Sequence, residues 1–456
     1  MTRRVLSGWG NTAPSGADVI EGAGLESARD AFTRTGARGV LARGLGRSYG
    51  DAAQNGGGTV LLIGERTVAV DAATGIVRAG AGVNFDELIR ALLDRGWFVP
   101  VTPGTRRITV GGAIAADIHG KNHHADGSWG NHLVDIDLLT PDGEIRTVSP
   151  AVDPGAFWAT VGGMGLTGVV LSCRFRALPV ETSRMLVDTW RTRDLDETMA
   201  LMAERDGGYR YTVAWIDALS RGQRLGRGVV TMAHHAPRSA VNAADHLHFD
   251  SRPFASMPPL IPSGLLNRAT IGAFNEVWYR KAPRQRVGEV QGISAFFHPL
   301  DMVGAWNRLY GPRGMLQYQF VVPAGEETTM RQAIERLAAG GAASFLTVLK
   351  RFGPGNAGHL SFPFAGWTLT LDIPTGIAGL ADLLDDLDRR LVEVGGRVYL
   401  AKDSRVPAAL VPRMYPRLDE WRSVCDRLDP DGVMQSDLSR RLLLRRRANE
   451  VKENRS

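Results

Sequence analysis

A glycine-rich segment early in the chain has the composition of an anion-binding loop. Residues 42–51 read Ala-Arg-Gly-Leu-Gly-Arg-Ser-Tyr-Gly-Asp and follow an apolar run at 40–43 that predicts a strand. Glycines allow successive backbone N–H groups to turn toward one anion, such as a phosphate. The spacing is Gly-x-Gly-x-x-x-Gly, and residues 51–58 do not continue into a predicted helix. A Rossmann site needs Gly-x-Gly-x-x-Gly followed by a helix, so the pattern argues against nicotinamide binding.

Two more glycine-rich segments, at 103–115 and 161–170, follow in the sequence. In the first of them, Thr109 is predicted to cap a short helix whose first turn contains Gly111 and Gly112. Small residues at a helix N-terminus let a diphosphate approach the N–H groups closely. A single glycine-rich segment is usually only a turn. Three of them in this order are a more specific signal.

A dense polar cluster follows the second glycine-rich segment, with the sequence His-Gly-Lys-Asn-His-His at 119–124. His119 and His123 are four residues apart and could form a metal-binding face on a helix. Gly120 weakens such a helix, however, and no carboxylate or cysteine completes a ligand set. We therefore predict no metal site. Contact with a cofactor or a hydrogen bond to substrate is the favoured role of His119, whereas His123 and His124 are more often structural.

Polar and apolar residues alternate in two predicted strands. Gln317 and Gln319 share one face of the first strand, and Thr368 and Thr370 share one face of the second. Each polar face could line a substrate pocket or simply be the solvent-facing side of a sheet. Trp215, in a third predicted strand, could shape the same pocket.

The predicted secondary structure that must position these residues changes near residue 182. The preceding part has short strands, glycine-rich turns and one clear amphipathic helix that Asn84 can cap and Gly96 ends. Between 183 and 396, longer strands alternate with helices at 194–205, 326–339 and 378–394, as in an antiparallel sheet with helices packed on one face. The sequence thus predicts an α+β protein with domains at 1–182 and 183–396, and with residues 397–456 returning to the first domain.

Composition and charge exclude some classes of function. The net charge is +6, but residues 440–456 carry seven positive and two negative groups, so the rest of the chain sums to only +1. The body therefore lacks the basic surface expected of a nucleic-acid-binding protein. The basic tail could contact anionic lipid head groups, or it could be a solvated terminus.

The two cysteines and the apolar runs also limit the alternatives. Cys173 and Cys425 lie in no metal-ligand or redox spacing, and buried unpaired thiols are predicted. No apolar stretch is long enough for a membrane-spanning helix, and no signal peptide is predicted at the N-terminus.

Taken together, these segments resemble those of a known family. The three glycine-rich segments are similar in order and type to the FAD domain of the vanillyl-alcohol-oxidase type. Within that family, the whole chain up to about Leu444 resembles the oxidases that act on polyprenylphosphoryl ribose. The resemblance is carried by eight segments, namely 7–10, 42–51, 103–115, 119–124, 157–163, 298–301, 316–320 and 401–405.

The resemblance implies the two-domain vanillyl-alcohol-oxidase-type fold, an antiparallel-sheet substrate domain, and FAD as the cofactor. Many relatives bond the flavin covalently to a histidine in the first loop, whereas Arg47 occupies the matching position here, so non-covalent FAD is expected. The implied FAD-binding residues are Ala42, Arg43, Gly44, Leu45, Gly46, Arg47, Ser48, Tyr49, Gly50, Asp51, Ala52, Gly104, Thr109, Val110, Gly111, Gly112, His119, Gly120, Lys121, Asn122, Val170 and Tyr399.

The resemblance also suggests the catalytic and substrate-binding residues. Lys402 follows a short predicted strand, and its ammonium could bind the substrate oxygen and stabilise the reduced flavin. By sequence alone, a surface lysine paired with Asp403 would be the simpler interpretation. Lys402 and His119 are expected in catalysis, and the substrate-contacting set is Gln317, Gln319, Thr368, Thr370, Trp215 and Lys402. Some members have cysteine at the position of Thr370, so thiol-directed inhibitors are not expected to act there.

The implied reaction is FAD-dependent oxidation of the ribose 2-hydroxyl of a polyprenylphosphoryl-β-D-ribose to the 2-keto compound. A separate nicotinamide-dependent keto-reductase would complete the epimerisation to an arabinose donor for cell-wall polysaccharide. Such a lipid substrate implies a peripheral protein at the cell membrane, on either face. The alternatives are an alditol or aldonolactone oxidase of the same FAD family, a non-catalytic lipid-binding protein on the same fold, and nucleic-acid binding through the tail.

Overall fold

The computed structural model describes residues 1–241, 246–258, 261–262 and 264–445. The first sheet has the order β1-β2-β4-β3 and combines one antiparallel pair with parallel pairing of β4 to β2 and β3. The glycine-rich segment at 42–51 begins at the end of β3. The elements are β1 (Thr2–Leu6), β2 (Ser15–Ala23), α1 (Leu25–Thr33), β3 (Val40–Arg43) and β4 (Thr59–Ile63).

A second, antiparallel sheet has the order β5-β6-β10-β8-β9 and packs against α2 and α3. Asn84 caps α2 by accepting a hydrogen bond from Glu87 N, and Thr109 caps α3 by accepting one from Gly112 N, as their residue types predict. The elements are β5 (Val68–Val70), β6 (Ile76–Gly80), α2 (Phe85–Leu93), β7 (Trp97–Phe98), α3 (Val110–Ala115), α4 (His123–Asp126), β8 (Leu133–Leu139), β9 (Ile145–Val148), α5 (Pro154–Thr160), β10 (Val169–Arg176) and β11 (Leu178–Pro179).

An eight-stranded antiparallel sheet with the order β16-β12-β14-β13-β19-β20-β18-β21 follows. Leucines and aromatic residues on one face of β18 and β20 pack with α9 and α10 in the largest hydrophobic core. The elements are β12 (Arg184–Thr192), α6 (Leu195–Arg205), β13 (Tyr211–Ile216), β14 (Gly228–His235), β15 (Ala255–Ser256), α7 (Arg268–Lys281), β16 (Gln285–Gly292), α8 (Ile293–Phe297), β17 (Val303–Gly304), β18 (Met315–Pro323), α9 (Glu327–Ala339), β19 (Thr347–Phe352), β20 (Gly366–Pro374), α10 (Leu380–Glu393) and β21 (Arg397–Val398).

The last described segment packs back on the N-terminal sheets. Met434 bridges to Val40 of β3, and Trp421 donates a hydrogen bond from Nε1 to Ala159 O at 3.0 Å. This segment contains α11 (Val411–Met414), α12 (Leu418–Leu428) and α13 (Asp437–Arg441). The predicted boundary after residue 396 lies one strand too early, because β21 pairs with β18 and belongs to the eight-stranded sheet.

These elements confirm the predicted α+β class with an antiparallel sheet and helices on one of its faces. One local prediction was wrong. The sequence at 343–352 predicts a strand, but β19 begins only at Thr347, because the Ser344 hydroxyl accepts from Leu346 N and Asp372 N and holds a turn there. His119 and His123 do not share a helix, since α4 begins only at His123. The basic tail beyond Arg445 lies outside the described residues.

Candidate active site

Lys402 lies in a tight turn directly after β21, at the edge of the eight-stranded sheet. The backbone N–H groups of Lys402 and Asp403 both donate to Tyr399 O, at 2.9 and 3.0 Å. The Lys402 ammonium is 4.2 Å from the ring centroid of Tyr49 and has no ion-pair partner among the described residues. Burial lowers the pKa of Lys402, and the nearby Asp372 carboxylate opposes that shift. The alternative interpretation, a surface lysine paired with Asp403, is therefore wrong.

The first glycine-rich loop reaches the same turn. Tyr49 N donates to Ala401 O at 3.0 Å, and a Cβ on Gly50 would lie 2.0 Å from Asp403 O. Only glycine permits that approach, because the contact is to rigid backbone. Asp403 itself pairs with Arg441 at 2.8 Å. The arrangement places the aromatic ring of Tyr49 beside the lysine ammonium.

His119 is buried beside this turn and approaches the eight-stranded sheet. Its Nε2 is 2.8 Å from Gln319 Nε2, and its ring lies 5.1 Å from that of Tyr399. Burial, reinforced by the charge of Lys350, keeps the pKa of His119 well below its usual value, so the imidazole is neutral at neutral pH. Because the Gln319 amide nitrogen donates, Nε2 must accept, and the single proton of the neutral ring is on Nδ1.

The strand register assembles one polar face on the sheet. Gln319 pairs with Thr370, and Gln317 pairs with Asp372 and donates to its Oδ1 at 2.5 Å. Burial raises the pKa of Asp372, while the hydrogen bond from Gln317 and the charge of Lys402 oppose the shift. Trp215 lies across from Val348 on the same face, and its Nε1 donates to Phe345 O at 2.9 Å.

Several buried polar atoms at this face have no hydrogen-bond partner within the described residues. They are His119 Nδ1, Gln317 Oε1, Asp372 Oδ2 and the hydroxyl of Tyr310. Buried polar groups normally find partners, so such a group of atoms marks where a polar ligand binds. Both donors and acceptors are present, which suits a ligand rich in hydroxyl and carbonyl groups.

The glycine-rich segments fit a dinucleotide. The backbone N–H groups of residues 45–48 donate to no acceptor in the described part of the chain, so they are available to an anion. Gly104 and Gly112 are exposed, and a Cβ on Gly104 would meet nothing within 4 Å. Thr109 of the second segment packs closely against Gly44 of the first. A Cβ added at Gly44 would lie only 2.1 Å from Thr109 Oγ1. This lining of exposed N–H groups and glycine surfaces suits a diphosphate and an extended cofactor.

Three of the predicted FAD-binding residues use their side chains in bonds within the protein. Arg43 donates to Ser7 O and Ala53 O, and Asp51 binds Arg441 through both oxygens. Lys121 donates to Phe296 O, and burial lowers its pKa to about 7. These bonds tie the three side chains to other parts of the protein.

Two predicted contact residues have no accessible surface in the structure. Val110 and Thr368 are each 0 % exposed. Val110 N bonds to Val83 O, and the Thr368 hydroxyl donates to Phe320 O while accepting from Gln319 Nε2 at 3.4 Å. Thr368 therefore supports Gln319.

Four more of the predicted contact residues have side chains held by defined contacts. Tyr399 donates from its hydroxyl to Ala116 O at 2.7 Å, just after α3, and Val170 packs in the same cluster as α3. Arg47 stacks its guanidinium 3.7 Å from the Trp9 ring centroid. Asn122 donates to Pro100 O at 2.8 Å and leaves its Oδ1 without a partner among the described residues.

Two residues of the site were not predicted. They are Asp372, on the same strand as Thr370, and Lys350. Lys350 lies opposite Thr368 on β19, and burial together with the charge of Lys402 lowers its pKa to about 7. A lysine directly after Val348 and Leu349, inside a strand of the sheet, was the available signal. Within the described residues, no group of three or more His, Cys, Asp or Glu side chains is placed to hold a metal ion.

Comparison with known proteins agrees with this geometry. Residues 29–149 match the FAD binding domain family. The chain is 46% identical over 453 residues, covering 97% of it and 98% of the relative, to a protein of Mycolicibacterium smegmatis named decaprenylphosphoryl-β-D-ribose oxidase. It is 42% identical to an uncharacterized protein of Streptomyces coelicolor, covering 79% of this chain and all of that protein.

A weaker likeness concerns one of the alternatives considered above. The chain is 29% identical to an alditol oxidase of a Streptomyces species, over 44% of this chain and 48% of the relative. The near full-length match is far more extensive than this partial one. FAD is the cofactor, and the enzyme is an FAD-dependent oxidoreductase. The chain belongs to the family of decaprenylphosphoryl-β-D-ribose oxidases.

Proposed function

We propose that this enzyme oxidises the 2-hydroxyl of a polyprenylphosphoryl-β-D-ribose to the 2-keto compound. The observation that carries the proposal is the identity of 46% along 98% of a relative named for this substrate. The polar face formed by Gln317, Gln319 and Asp372 beside Lys402 supports it, because a ribose offers several hydroxyls to such donors and acceptors.

Bound FAD supplies the hydride acceptor. The side chains of this chain would orient the sugar and handle its proton. The Lys402 ammonium donates to the substrate oxygen and stabilises the negative charge that develops there during C–H cleavage. Asp372 keeps Oδ2 without a partner among the described residues, so this oxygen can accept the hydroxyl proton.

The His119 imidazole stays neutral and is held in one orientation. Gln319 holds its Nε2, so its Nδ1–H remains a donor that can orient an oxygen of the ligand. The rings of Phe352, Phe362 and Tyr399 surround the imidazole and exclude water from it. A dry environment strengthens each of these electrostatic contacts.

The cofactor would be bound without a covalent link. Arg47 occupies the loop position where many relatives carry histidine, and its side chain stacks on Trp9. A guanidinium is not a nucleophile toward the flavin, so denaturation with acid should release FAD from the protein.

The enzyme would share its pathway with a separate nicotinamide-dependent keto-reductase, which returns the 2-keto compound to the arabinose configuration for cell-wall polysaccharide. The lipid substrate would place it peripherally at the cell membrane. None of the helices in the described part of the chain combines the length and apolarity needed to cross a bilayer.

The decisive experiment is anaerobic bleaching of the bound flavin. Bleaching by a short-chain prenylphosphoryl ribose, but not by the arabinose epimer or by soluble alditols, is the expected result. Bleaching by soluble alditols alone would refute the lipid-sugar substrate and support the alditol oxidase alternative. A protein that neither contains nor takes up FAD would support the non-catalytic alternative.

A further inference from the structure

Helix α7 has the opposite polarity to an ordinary surface helix. A surface helix normally buries an apolar stripe and exposes polar residues. In α7 the side facing the protein is largely polar. Asn275 is fully buried and donates to Asp217 Oδ1 at 2.8 Å, Glu276 accepts from Arg227, and the Tyr279 hydroxyl donates to Thr192 O at 3.1 Å. Of its apolar residues, Ile271 is buried.

The solvent-facing side of the same helix is apolar. Phe274, Val277 and Trp278 are 44%, 66% and 45% exposed, and the rings of Phe274 and Trp278 stack at 6.0 Å. Ala273 is exposed beside them, and Leu265 extends the surface in the preceding turn with 50% exposure. We call these five residues the α7 apolar face. Scattered exposed apolar residues need no explanation, whereas a contiguous group with an aromatic pair indicates an interaction surface.

Basic residues flank the α7 apolar face. Residues 264–292 carry five arginines and lysines and two glutamates, a net charge of +3. Both glutamates are already paired inside this segment, Glu276 with Arg280 and Glu289 with Arg286. Arg268, Lys281 and Arg284 pair with no carboxylate among the described residues. An apolar face with aromatic residues and a rim of unpaired cations is complementary to an anionic lipid surface.

The α7 apolar face is also continuous with the wall of the candidate active site. Phe274 contacts Phe345 edge to face at 5.7 Å, and Phe345 O holds the indole of Trp215. Leu266, in the turn before the helix, packs against the cluster that contains Tyr49. A lipid held at this surface would therefore lie next to the polar face that binds the sugar.

We propose that α7 docks this enzyme on an anionic phospholipid surface, with its apolar face at the level of the acyl chains and its basic rim among the head groups. The inference rests on the proposed function in one respect, since a polyprenyl substrate must be drawn from a bilayer. It assigns membrane contact to α7 instead of the basic tail beyond Arg445.

The test is flotation of the FAD-loaded enzyme with vesicles, without substrate. We expect binding to vesicles of phosphatidylcholine mixed with phosphatidylglycerol, and weaker binding to phosphatidylcholine alone. The double variant Val277→Ser, Trp278→Ser should bind at least ~10-fold more weakly, because buried apolar area contributes much of the affinity of interfacial helices. The matched control is Ile145→Ser, Val152→Ser, which removes two residues of 44% and 60% exposure from the other domain.

Folding is checked by FAD content and by oxidation of a soluble short-chain substrate. If the double variant fails to fold, Lys281→Glu, Arg284→Glu provides an independent test, with binding lost only for the anionic vesicles. The inference would be overturned if the wild type and the double variant bound vesicles equally well. It would also be overturned if vesicle binding were lost only on deletion of residues 446–456. Concentration-dependent self-association that disappears in the double variant, without vesicle binding, would instead identify a protein-binding surface.

The flotation result is separate from the proposed function. An enzyme that oxidises the prenylphosphoryl ribose but does not float refutes the docking inference alone. An enzyme that floats through α7 but does not oxidise that substrate refutes the proposed function alone.

Discussion

Replacing Arg441 by methionine should destabilise the protein and weaken FAD binding. Arg441 donates to both oxygens of Asp51 at 2.8 Å and to Asp403 Oδ2 at 2.8 Å. Asp51 ends the first glycine-rich loop, and Asp403 follows Lys402. One guanidinium therefore joins the first glycine-rich loop to the turn that carries Lys402, the proposed catalytic residue, and both carboxylates raise the pKa of Arg441.

The expected magnitude follows from the burial of the three side chains. Arg441 is 27% exposed, Asp51 is 12% exposed and Asp403 is 1% exposed. Removing one partner of a buried ion pair costs about 3–5 kcal/mol, because a charge is left without compensation. Since the arginine is partly solvated, we expect a loss of ~2–3 kcal/mol in the free energy of unfolding.

Denaturant unfolding of the FAD-loaded protein, with a parallel titration of FAD into the apoprotein, measures both effects. The matched control is Arg427→Met. Arg427 also binds an aspartate through two nitrogens, at 2.9 Å each, but the pair is half-exposed. That control should cost less than about 1 kcal/mol and leave FAD affinity unchanged.

Adding Asp403→Asn to Arg441→Met should recover part of the lost stability. An asparagine oxygen can still accept from Arg405 N and Val406 N, which bind Asp403 Oδ1 at 3.0 and 2.9 Å, while the uncompensated charge is removed. If Arg441→Met unfolds like the control, or if the second substitution gives no recovery, the buried-charge reasoning is refuted.

Four further predictions concern the reaction and the site. Lys402→Met should retain FAD but slow anaerobic flavin bleaching ~10²–10³-fold, as expected when one preorganised donor is lost; a loss below tenfold would remove Lys402 from the chemistry. The bleaching rate should be bell-shaped in pH, because Asp372 must be ionised and its pKa is raised, while Lys402 must be protonated and its pKa is lowered. Asp372→Asn should lower the maximum and move the alkaline limb to lower pH, since the carboxylate that stabilises the ammonium is gone; an unchanged limb would contradict this coupling. The native enzyme should resist maleimide, because burial raises the pKa of Cys173 and Cys425, whereas Thr370→Cys should be labelled at its half-buried position by mass spectrometry; equal labelling of both proteins would be the contrary result.

The fold class and the local elements around the cofactor were predictable because their signals are local. Asn84 and Thr109 cap their helices through residues three positions away, and glycines limit where the chain can turn. The alternation along β18 and β20 correctly placed Gln317, Gln319 and Thr370 on one face, since successive strand residues point to opposite sides. The family resemblance supplied the identity of the cofactor, which composition and spacing alone could not.

Tertiary structure decided which of these residues meet. His119 and Gln319 are 200 residues apart in sequence, and Arg441 reaches Asp51 across 390 residues. Neither pairing leaves a periodic signal, because it depends on strand register and on how the last helices pack against the first loop. The same limit applies to Thr368, which shares a predicted strand face with Thr370 but is completely buried by cross-strand packing. In α7, the residue pattern alone cannot say which side of an amphipathic helix faces the protein, and the buried contacts of Asn275 and Tyr279 determine that the apolar side faces outward.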